Sequence, residues 1–522
     1  MNPAAPDPAS DSVNAADQIV GPALSRGQRD DVAILFADST ITYGELDEMA
    51  NRAANSLDSY ARRGERVLML LKDSPAFVAA FLGIMRRGCV AVPLSTRLAA
   101  RDLAYAIADS EAACLLIDEE FVALYRSAAE QADKLPALVA VRGPATAGTV
   151  SLERMMADAP PTAASAPMQR DDMAFWLYSS GTTGNPKAAI HCHGDVTVGD
   201  SYMREFGMGP GVRVFASSKL FFAFSLGHTL VGALRAGATM VLHDGWPDAA
   251  AIAQVVDRHR PHVMLSVPTM FRNLLREGHT NGPGFKSMRV CLSAGEALPA
   301  SLHQRWMEQT GVPIVEGIGA TETIFMFVSG TPSQHRPGAT GKPMPYAETK
   351  LLDEQDRPVA GPDLPGTAWT RMGSLCRGYW RQPEKTRAAF RDGWFKTGDV
   401  FVVDADGWWH HQGRGDDLLK ISGQWVSPGE IEECALSVAG VAEAAVIGVE
   451  NEDALVRMTL FLVANEGTRP YQRERLEREV RDVLKATLSI YKCPRNIRFI
   501  DAIPRTATGK IQRYRLRQLA SP

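Results

Sequence analysis

The sequence predicts an α/β protein with a large multi-subdomain N-terminal α/β domain and a small α+β C-terminal domain. Three observations predict it. The chain has 522 residues, 45% of them hydrophobic, more than one core usually serves. Short β-rich runs alternate with helix-like stretches, the pattern of βα units on a mostly parallel sheet. Around Gly413 to Gly423 the sequence turns glycine-rich and charged, and a compact mixed pattern follows.

Taken in order, residues 1 to 20 are rich in Ala, Pro, Asp and Ser, with neither a basic start nor an apolar h-region, and are expected to be a disordered tail rather than a signal peptide. A large domain is expected from 21 to 415. It opens with strand candidates Ala33 to Phe36, Arg66 to Leu71 and Cys89 to Pro93, and with a helix from Tyr43 to Tyr60 capped by Thr42. Val212 to Ser217, Thr239 to Leu242, His262 to Val267, Val290 to Ser293 and Pro313 to Glu316 continue the series, each followed by a plausible helix. A second domain is expected over 416 to 522, with helices at Ile431 to Ala439 and Arg473 to Leu488 and strands at Glu443 to Gly448 and Met458 to Val463. No short repeat is visible.

Composition excludes several function classes. Lys and Arg total 56 against 60 Asp and Glu, a formal charge of -4, so no broad basic surface for nucleic acid is implied. The seven cysteines are scattered without a Cys-x-x-Cys pair, which favours buried free thiols in a reducing cytoplasm over zinc or disulfides. The apolar stretch from Phe77 to Leu94 is interrupted by Arg86 and Arg87, against a membrane span. His191-Cys-His193 and His410-His411 lack a third ligand at zinc-site spacing.

The run Tyr178-Ser-Ser-Gly-Thr-Thr-Gly-Asn-Pro-Lys187 follows an apolar strand. Its hydroxyls and backbone N–H groups suit phosphate oxygens, and Gly181 and Gly184 permit close approach. Pro186 stands where a Walker A loop needs glycine, so it is not that motif. Taken alone, such a composition is more often that of a plain loop than of a phosphate cradle. The longer string Ser179 to Lys187 resembles the phosphate-loop signature of the adenylate-forming superfamily of acyl-CoA synthetases, peptide-synthetase adenylation domains and luciferases, and further segments follow in that family's order.

Gly317-Ile-Gly-Ala-Thr-Glu322 resembles the family's aromatic-Gly-x-Thr-Glu segment. The resemblance implies that Thr321 meets the α-phosphate and that Glu322 binds the magnesium bridging the phosphates, a fitting ligand for a hard cation. Ile318 replaces the usual tyrosine, so apolar packing replaces stacking on adenine. Ser293-Ala-Gly-Glu-Ala-Leu-Pro299 resembles the stretch lining adenine and the acyl pocket, which implies roles for Ala294, Gly295, Glu296 and Ala297. Lys396-Thr-Gly-Asp399 and Gly413-Arg414 resemble the segments whose aspartate and arginine take the ribose hydroxyls. Arg505-Thr-Ala-Thr-Gly-Lys-Ile-Gln-Arg513 resembles the C-terminal signature whose lysine, here Lys510, stabilises the acyl-phosphate transition state. The implied ATP-binding set is therefore Ser179, Ser180, Gly181, Thr182, Thr183, Gly184, Lys187, Gly295, Glu296, Ala297, Gly317, Ile318, Gly319, Thr321, Asp399 and Arg414. Lys510, Thr321 and Glu322 form the catalytic set.

The implied chemistry has two halves. The acid's carboxylate attacks the α-phosphorus of ATP and pyrophosphate leaves, with Lys510, the hydroxyl loop and magnesium at Glu322 opposing the accumulating charge. The thiol of coenzyme A then attacks the mixed anhydride. In the family the small domain is mobile and rotates between these steps. The hinge maps to Asp416, and the rotation carries Ser422, Gly423, Gln424 and Trp425 to the pantetheine path.

Lys219-Leu-Phe-Phe-Ala-Phe-Ser-Leu-Gly227, Trp408-Trp409 and Val426-Ser-Pro-Gly-Glu-Ile431 resemble benzoate-type aryl-CoA ligases. The resemblance implies an aryl pocket bordered by Phe222, Ala223, Phe224, Ala294, Gly319 and Phe325, a flat slot for a planar acid. Benzoate-type relatives often carry a histidine-containing pattern where this chain reads Thr323-Ile-Phe-Met-Phe327, which leaves ortho-amino, hydroxy and halo benzoates as candidates. The expected partners are an aryl carboxylate, ATP and coenzyme A, with no nucleic acid or membrane, in a monomer or homodimer. The alternatives are a stand-alone adenylation enzyme loading a carrier protein in trans, and a silent nucleotide-binding regulator. The retained Glu322, Asp399, Arg414 and Lys510 speak against the latter.

Overall fold

A computed structural model describes residues 12–179, 185–415, 417, 419–421, 424–450, 456–465, 467–505 and 511–520. The chain divides into two compact units. The larger takes in residues up to Leu298, Leu302–Thr349 and Thr370–Phe395, and the smaller takes in Pro299–Ser301, Lys350–Trp369 and residues from Lys396 onward.

Two sheets organise the larger unit. The first has nine strands in the order Lys342–Pro343, Met326–Ser329, Ile314–Gly319, Val290–Ser293, Val263–Ser266, Arg213–Ala216, Thr239–Leu242, Val32–Phe36 and Ser39–Thr42. Its central strands run parallel, and antiparallel pairs close both ends. The second has seven strands, ordered Val150–Ser151, Leu138–Arg142, Cys114–Asp118, Arg66–Leu70, Val90–Pro93, Met173–Ser179 and Lys187–Cys192. Central strands such as Val90–Pro93 and Thr239–Leu242 are buried along their whole length, as parallel strands covered on both faces must be.

Helix Tyr43–Ser56 starts where the Thr42 side chain accepts a hydrogen bond from the Glu45 N–H while the Glu45 carboxylate accepts one from the Thr42 N–H. It packs on Pro75–Arg86 at Gly83, where a Cβ would lie 2.6 Å from the Ala53 Cβ. Only glycine allows that approach. Arg86, at the end of the apolar run, is 4% exposed and is matched by Asp47 at 2.9 Å and by the Asn51 side chain at 2.6 Å. Among the described residues no helix is long and apolar enough to cross a membrane.

Two expectations are corrected. Of the tail expected over 1 to 20, residues 1 to 11 lie outside the described residues, and the rest gives way to a helix at Ala15–Ser25, capped by Asn14 and burying Ala15, Ala16, Ile19 and Val20. Its alanines offer a flat face that composition alone does not distinguish from a tail. The strand at Ile314–Gly319 is followed by a tight turn rather than a helix. Ile324 takes φ +60° there, and the chain reverses into the antiparallel strand Met326–Ser329.

In the smaller unit Val441–Glu450, Val456–Ala464 and Asn496–Phe499 form a three-stranded sheet. Val446, Leu460 and Leu462 on one face pack with Ile431 and Ala435 of Pro428–Leu436 and with Val480 and Leu484 of Pro470–Thr487. Ala445, Ile447 and Phe461 on the other face pack with Ile503 and with Leu516 of Arg513–Ala520. Period-two alternation on a sheet covered on both sides produces this division.

Candidate active site

Strands Met173–Ser179 and Lys187–Cys192 pair so that Ser179 stands opposite Lys187. The connecting Ser180, Gly181, Thr182, Thr183 and Gly184 lie outside the described residues. Among the described residues the buried Ser179 hydroxyl has no hydrogen-bond partner, whereas buried polar atoms are normally matched.

Lys187 reaches the turn after Ile314–Gly319. Its Nζ lies 3.0 Å from Glu322 Oε1 and donates to the Tyr379 hydroxyl at 2.6 Å. Tyr379 in turn donates to Glu322 Oε1 at 2.7 Å, and the ammonium sits 4.0 Å from the tyrosine ring centre. Glu322 is 6% exposed. Burial alone would raise its pKa, but the Lys187 charge and the hydrogen bonds from Tyr379 and Lys187 outweigh burial and lower it. The carboxylate is therefore ionised at neutral pH.

The turn carrying Thr321 and Glu322 is held from several directions. The His191 ring bridges the Asp195 carboxylate at 3.2 Å and the Thr321 carbonyl at 2.8 Å. Cys376 N–H donates to the Glu322 carbonyl, and Ser374 donates to that of Thr323 at 2.7 Å. His193 instead takes the Ala15 N–H through Nδ1. Among the described residues no three His, Cys, Asp or Glu side chains cluster to hold a metal. An ionised Glu322 fits magnesium that arrives on a nucleotide, since that cation keeps water and phosphate oxygens and asks one or two carboxylates of the protein.

Gly317, Ile318 and Gly319 lie in the last parallel strand, opposite Ser329, Val328 and Met326. A Cβ on Gly317 would fall 2.3 Å from the Met326 sulfur. Ala294, Gly295, Glu296 and Ala297 form the turn after Val290–Ser293, with Gly295 at φ +85° and Glu296 bound by the Thr269 hydroxyl at 2.8 Å.

Phe222, Ala223 and Phe224 open a helical segment that widens into a π-helix over Leu226–Ala233, a form frequent at functional sites. Phe325 is fully buried. Gly199 makes room for its ring, since a Cβ there would lie 2.6 Å from Phe325 Cε1. His228 stands edge-on between the two aromatics expected in the aryl pocket, 5.5 Å from Phe224 and 5.8 Å from Phe325.

In the smaller unit Asp399 and Arg414 are ladder partners, with Arg414 Nη1 3.4 Å from the Asp399 carboxylate and donating to the Thr397 carbonyl at 2.8 Å. His411 Nε2 lies 3.3 Å from the other Asp399 oxygen. Gln424–Val426 pairs antiparallel with Leu419–Ile421. Asp416, Ser422, Gly423 and Lys510 lie outside the described residues.

Sequence reasoning missed Tyr379, His191, His228 and His411. His191 and His411 stood in histidine pairs weighed only as metal ligands. Tyr379 and His228 carry no local signal.

The family model described as "AMP-binding enzyme" matches residues 23–380, and that described as "AMP-binding enzyme C-terminal domain" matches 430–510. The chain is 51% identical over 511 residues to a 3-hydroxybenzoate–CoA ligase of Aromatoleum sp. (strain CIB), covering 97% of each. It is 49% identical over 513 residues to a 3-hydroxybenzoate–CoA/4-hydroxybenzoate–CoA ligase of Thauera aromatica, again covering 97% of each. It is similar to the crystal structure of an anthranilate CoA ligase in complex with anthranoyl-AMP, with TM-score 0.92, 34% identity and 98% of each chain covered.

Proposed function

Because the chain belongs to the AMP-binding enzyme family, we propose that it is an ATP-dependent aryl carboxylate–CoA ligase whose acid is a hydroxybenzoate. It is an AMP-forming acid–thiol ligase that uses ATP, magnesium and coenzyme A. The hydroxybenzoate rests on two relatives at about half identity over nearly the whole of both chains. The same relatives favour coenzyme A over a carrier protein as acceptor. A cytoplasmic setting is supported by seven free cysteines, none in a disulfide.

The observation that carries the site reading is the buried, ionised Glu322, in the turn after Ile314–Gly319, held by Tyr379 and by Lys187 at the end of the hydroxyl-rich loop. In the first half-reaction a carboxylate oxygen of the acid bonds to the α-phosphorus of ATP, the bond to the β-phosphate bridge breaks, and pyrophosphate leaves. No general base is needed, because the acid arrives ionised. Lys187, Ser179 and the loop bind phosphate oxygens, Thr321 meets the α-phosphate, and Glu322 holds the magnesium, which neutralises phosphate charge when bound. Asp399 and Arg414 take the ribose hydroxyls. Lys510 opposes the charge that builds at the α-phosphate.

In the second half-reaction the CoA sulfur bonds to the acyl carbon, the carbon–oxygen bond to AMP breaks, and the thiol proton passes to solvent. Rotation of the small domain about Asp416 exchanges Lys510 for the Ser422–Trp425 segment along the pantetheine path. The reading is tested by hydroxybenzoate-dependent exchange of labelled pyrophosphate into ATP without CoA. Exchange with hydroxybenzoates supports it, and exchange only with aliphatic acids overturns the choice of acid.

A further inference from the structure

Helix-forming residues Ala223–Ala236 carry one polar ring into the aromatic wall of the candidate acyl pocket. His228 is 1% exposed. It is enclosed by Phe224, Phe325 and Tyr202, the last 5.6 Å away and edge-on. Its Nδ1 lies 2.9 Å from the Phe224 carbonyl. A carbonyl only accepts, so Nδ1 carries the proton and donates. In a neutral imidazole Nε2 is then a lone-pair acceptor. Burial pushes the His228 pKa down to about 4 despite that backbone bond, so the ring is neutral in the working range. Among the described residues Nε2 has no hydrogen-bond partner.

Nearby polar atoms are already engaged. The Tyr202 hydroxyl is shared with Ser329 at 3.1 Å, the Tyr346 hydroxyl donates to the Met326 carbonyl at 2.8 Å, and Thr229 donates to the Ser225 carbonyl. A buried acceptor left unmatched among satisfied groups costs stability unless a ligand supplies the donor. The ring is also fixed in place. Its Nδ1 bond holds it to its own helix, and the preceding Gly227 packs against Ile324, where a Cβ would lie 2.6 Å from the isoleucine Cγ2.

We propose that His228 is a specificity-determining residue whose Nε2 accepts a hydrogen bond from a donor substituent on the aromatic acid, a phenolic hydroxyl or a ring amine. This rests on the aryl-CoA ligase reading and sharpens it: His228 selects acids with a ring donor over isosteric acids without one. A site built around a buried acceptor discriminates strongly, because the analogue without the donor leaves the acceptor bare.

The test compares kcat/KM for the best of the three hydroxybenzoate isomers with that for the matched fluoro- and methoxybenzoates, in wild type and in His228→Leu. Wild type is expected to favour the hydroxy acid over the fluoro acid by tenfold or more. His228→Leu is expected to reduce that ratio by about tenfold or more. An amino acid analogue with its donor at the same ring position should rank with the hydroxy acid. Equal handling of hydroxy and fluoro acids by wild type overturns the proposal without any variant, so a poorly folding His228→Leu does not shield it. An unchanged ratio in a folded His228→Leu overturns it as well. Failure of wild type to activate any benzoate would instead overturn the ligase reading, a distinct result.

Discussion

Lys187 and Glu322, 135 positions apart, meet at 3.0 Å with Tyr379 bound to both. The pair joins the end of the hydroxyl-rich loop to the turn after the last parallel strand. It keeps a buried carboxylate charged at neutral pH.

Replacement of Glu322 by glutamine removes that charge at nearly constant shape. Adenylation is expected to fall on the order of a hundredfold, with a higher magnesium requirement, measured as pyrophosphate release against magnesium concentration. The pH dependence follows from the lowered pKa. A carboxyl whose folded pKa lies below its ordinary value of 4.5 stabilises the fold above that value and loses the contribution as pH falls through the folded pKa. The stability difference between wild type and Glu322→Gln should therefore be constant near neutrality and change only below about pH 4.5. A difference that changes between pH 6 and 8 in denaturant titrations would contradict the assignment.

Tyr379→Phe keeps the ring over Lys187 and deletes the hydroxyl that bridges both charges. A hydrogen bond to a charged group contributes about 1.5 to 3 kcal/mol, so adenylation should drop about tenfold or more. Wild-type kinetics in the variant would show that the bridge is incidental.

Gly199→Ala should destabilise the protein by about 1 to 3 kcal/mol, the usual cost of overpacking. Gly199 has an ordinary helical φ of -78°, so strain is not the cause. The new Cβ meets the Phe325 ring. Denaturant unfolding measures the loss, and turnover of hydroxybenzoates should fall with it as Phe325 is displaced.

Lys510→Ala should abolish adenylation while thioester formation from supplied acyl-AMP survives, and Asp416→Pro should impair the thioester step more than adenylation. Separate assays of the two half-reactions check both. Equal loss of the two steps in Lys510→Ala would sink its role, and an unchanged ratio in Asp416→Pro would count against the hinge.

Much of the architecture is legible because parallel strands covered on both faces are written as short continuous apolar runs. Thr239–Leu242 and Val290–Ser293 begin and end where those runs do, and the Thr42 cap carries its own partner in Glu45. The reversal at Ile324 is not legible, since a β-branched residue is the last expected at positive φ. Nor is the helix at Ala15–Ser25, whose stability comes from tertiary burial of small residues. The site divides in the same way. Glu322 and Asp399 sit in short strings that resemble the family's signature segments, and the resemblance rather than the strings alone implies their roles. The contacts of Tyr379 with Lys187 and Glu322, and of His228 with Phe325, join residues far apart in sequence, which no local pattern records.

The most direct measurement is mass detection of the thioester formed from ATP, magnesium and CoA across benzoate, the hydroxybenzoates, 2-aminobenzoate, cinnamates and short and long fatty acids. Hydroxybenzoyl-CoA with stoichiometric AMP and pyrophosphate is the expected product. Thioesters of fatty acids alone, or adenylate without any CoA thioester, would contradict the assignment of a hydroxybenzoate–CoA ligase.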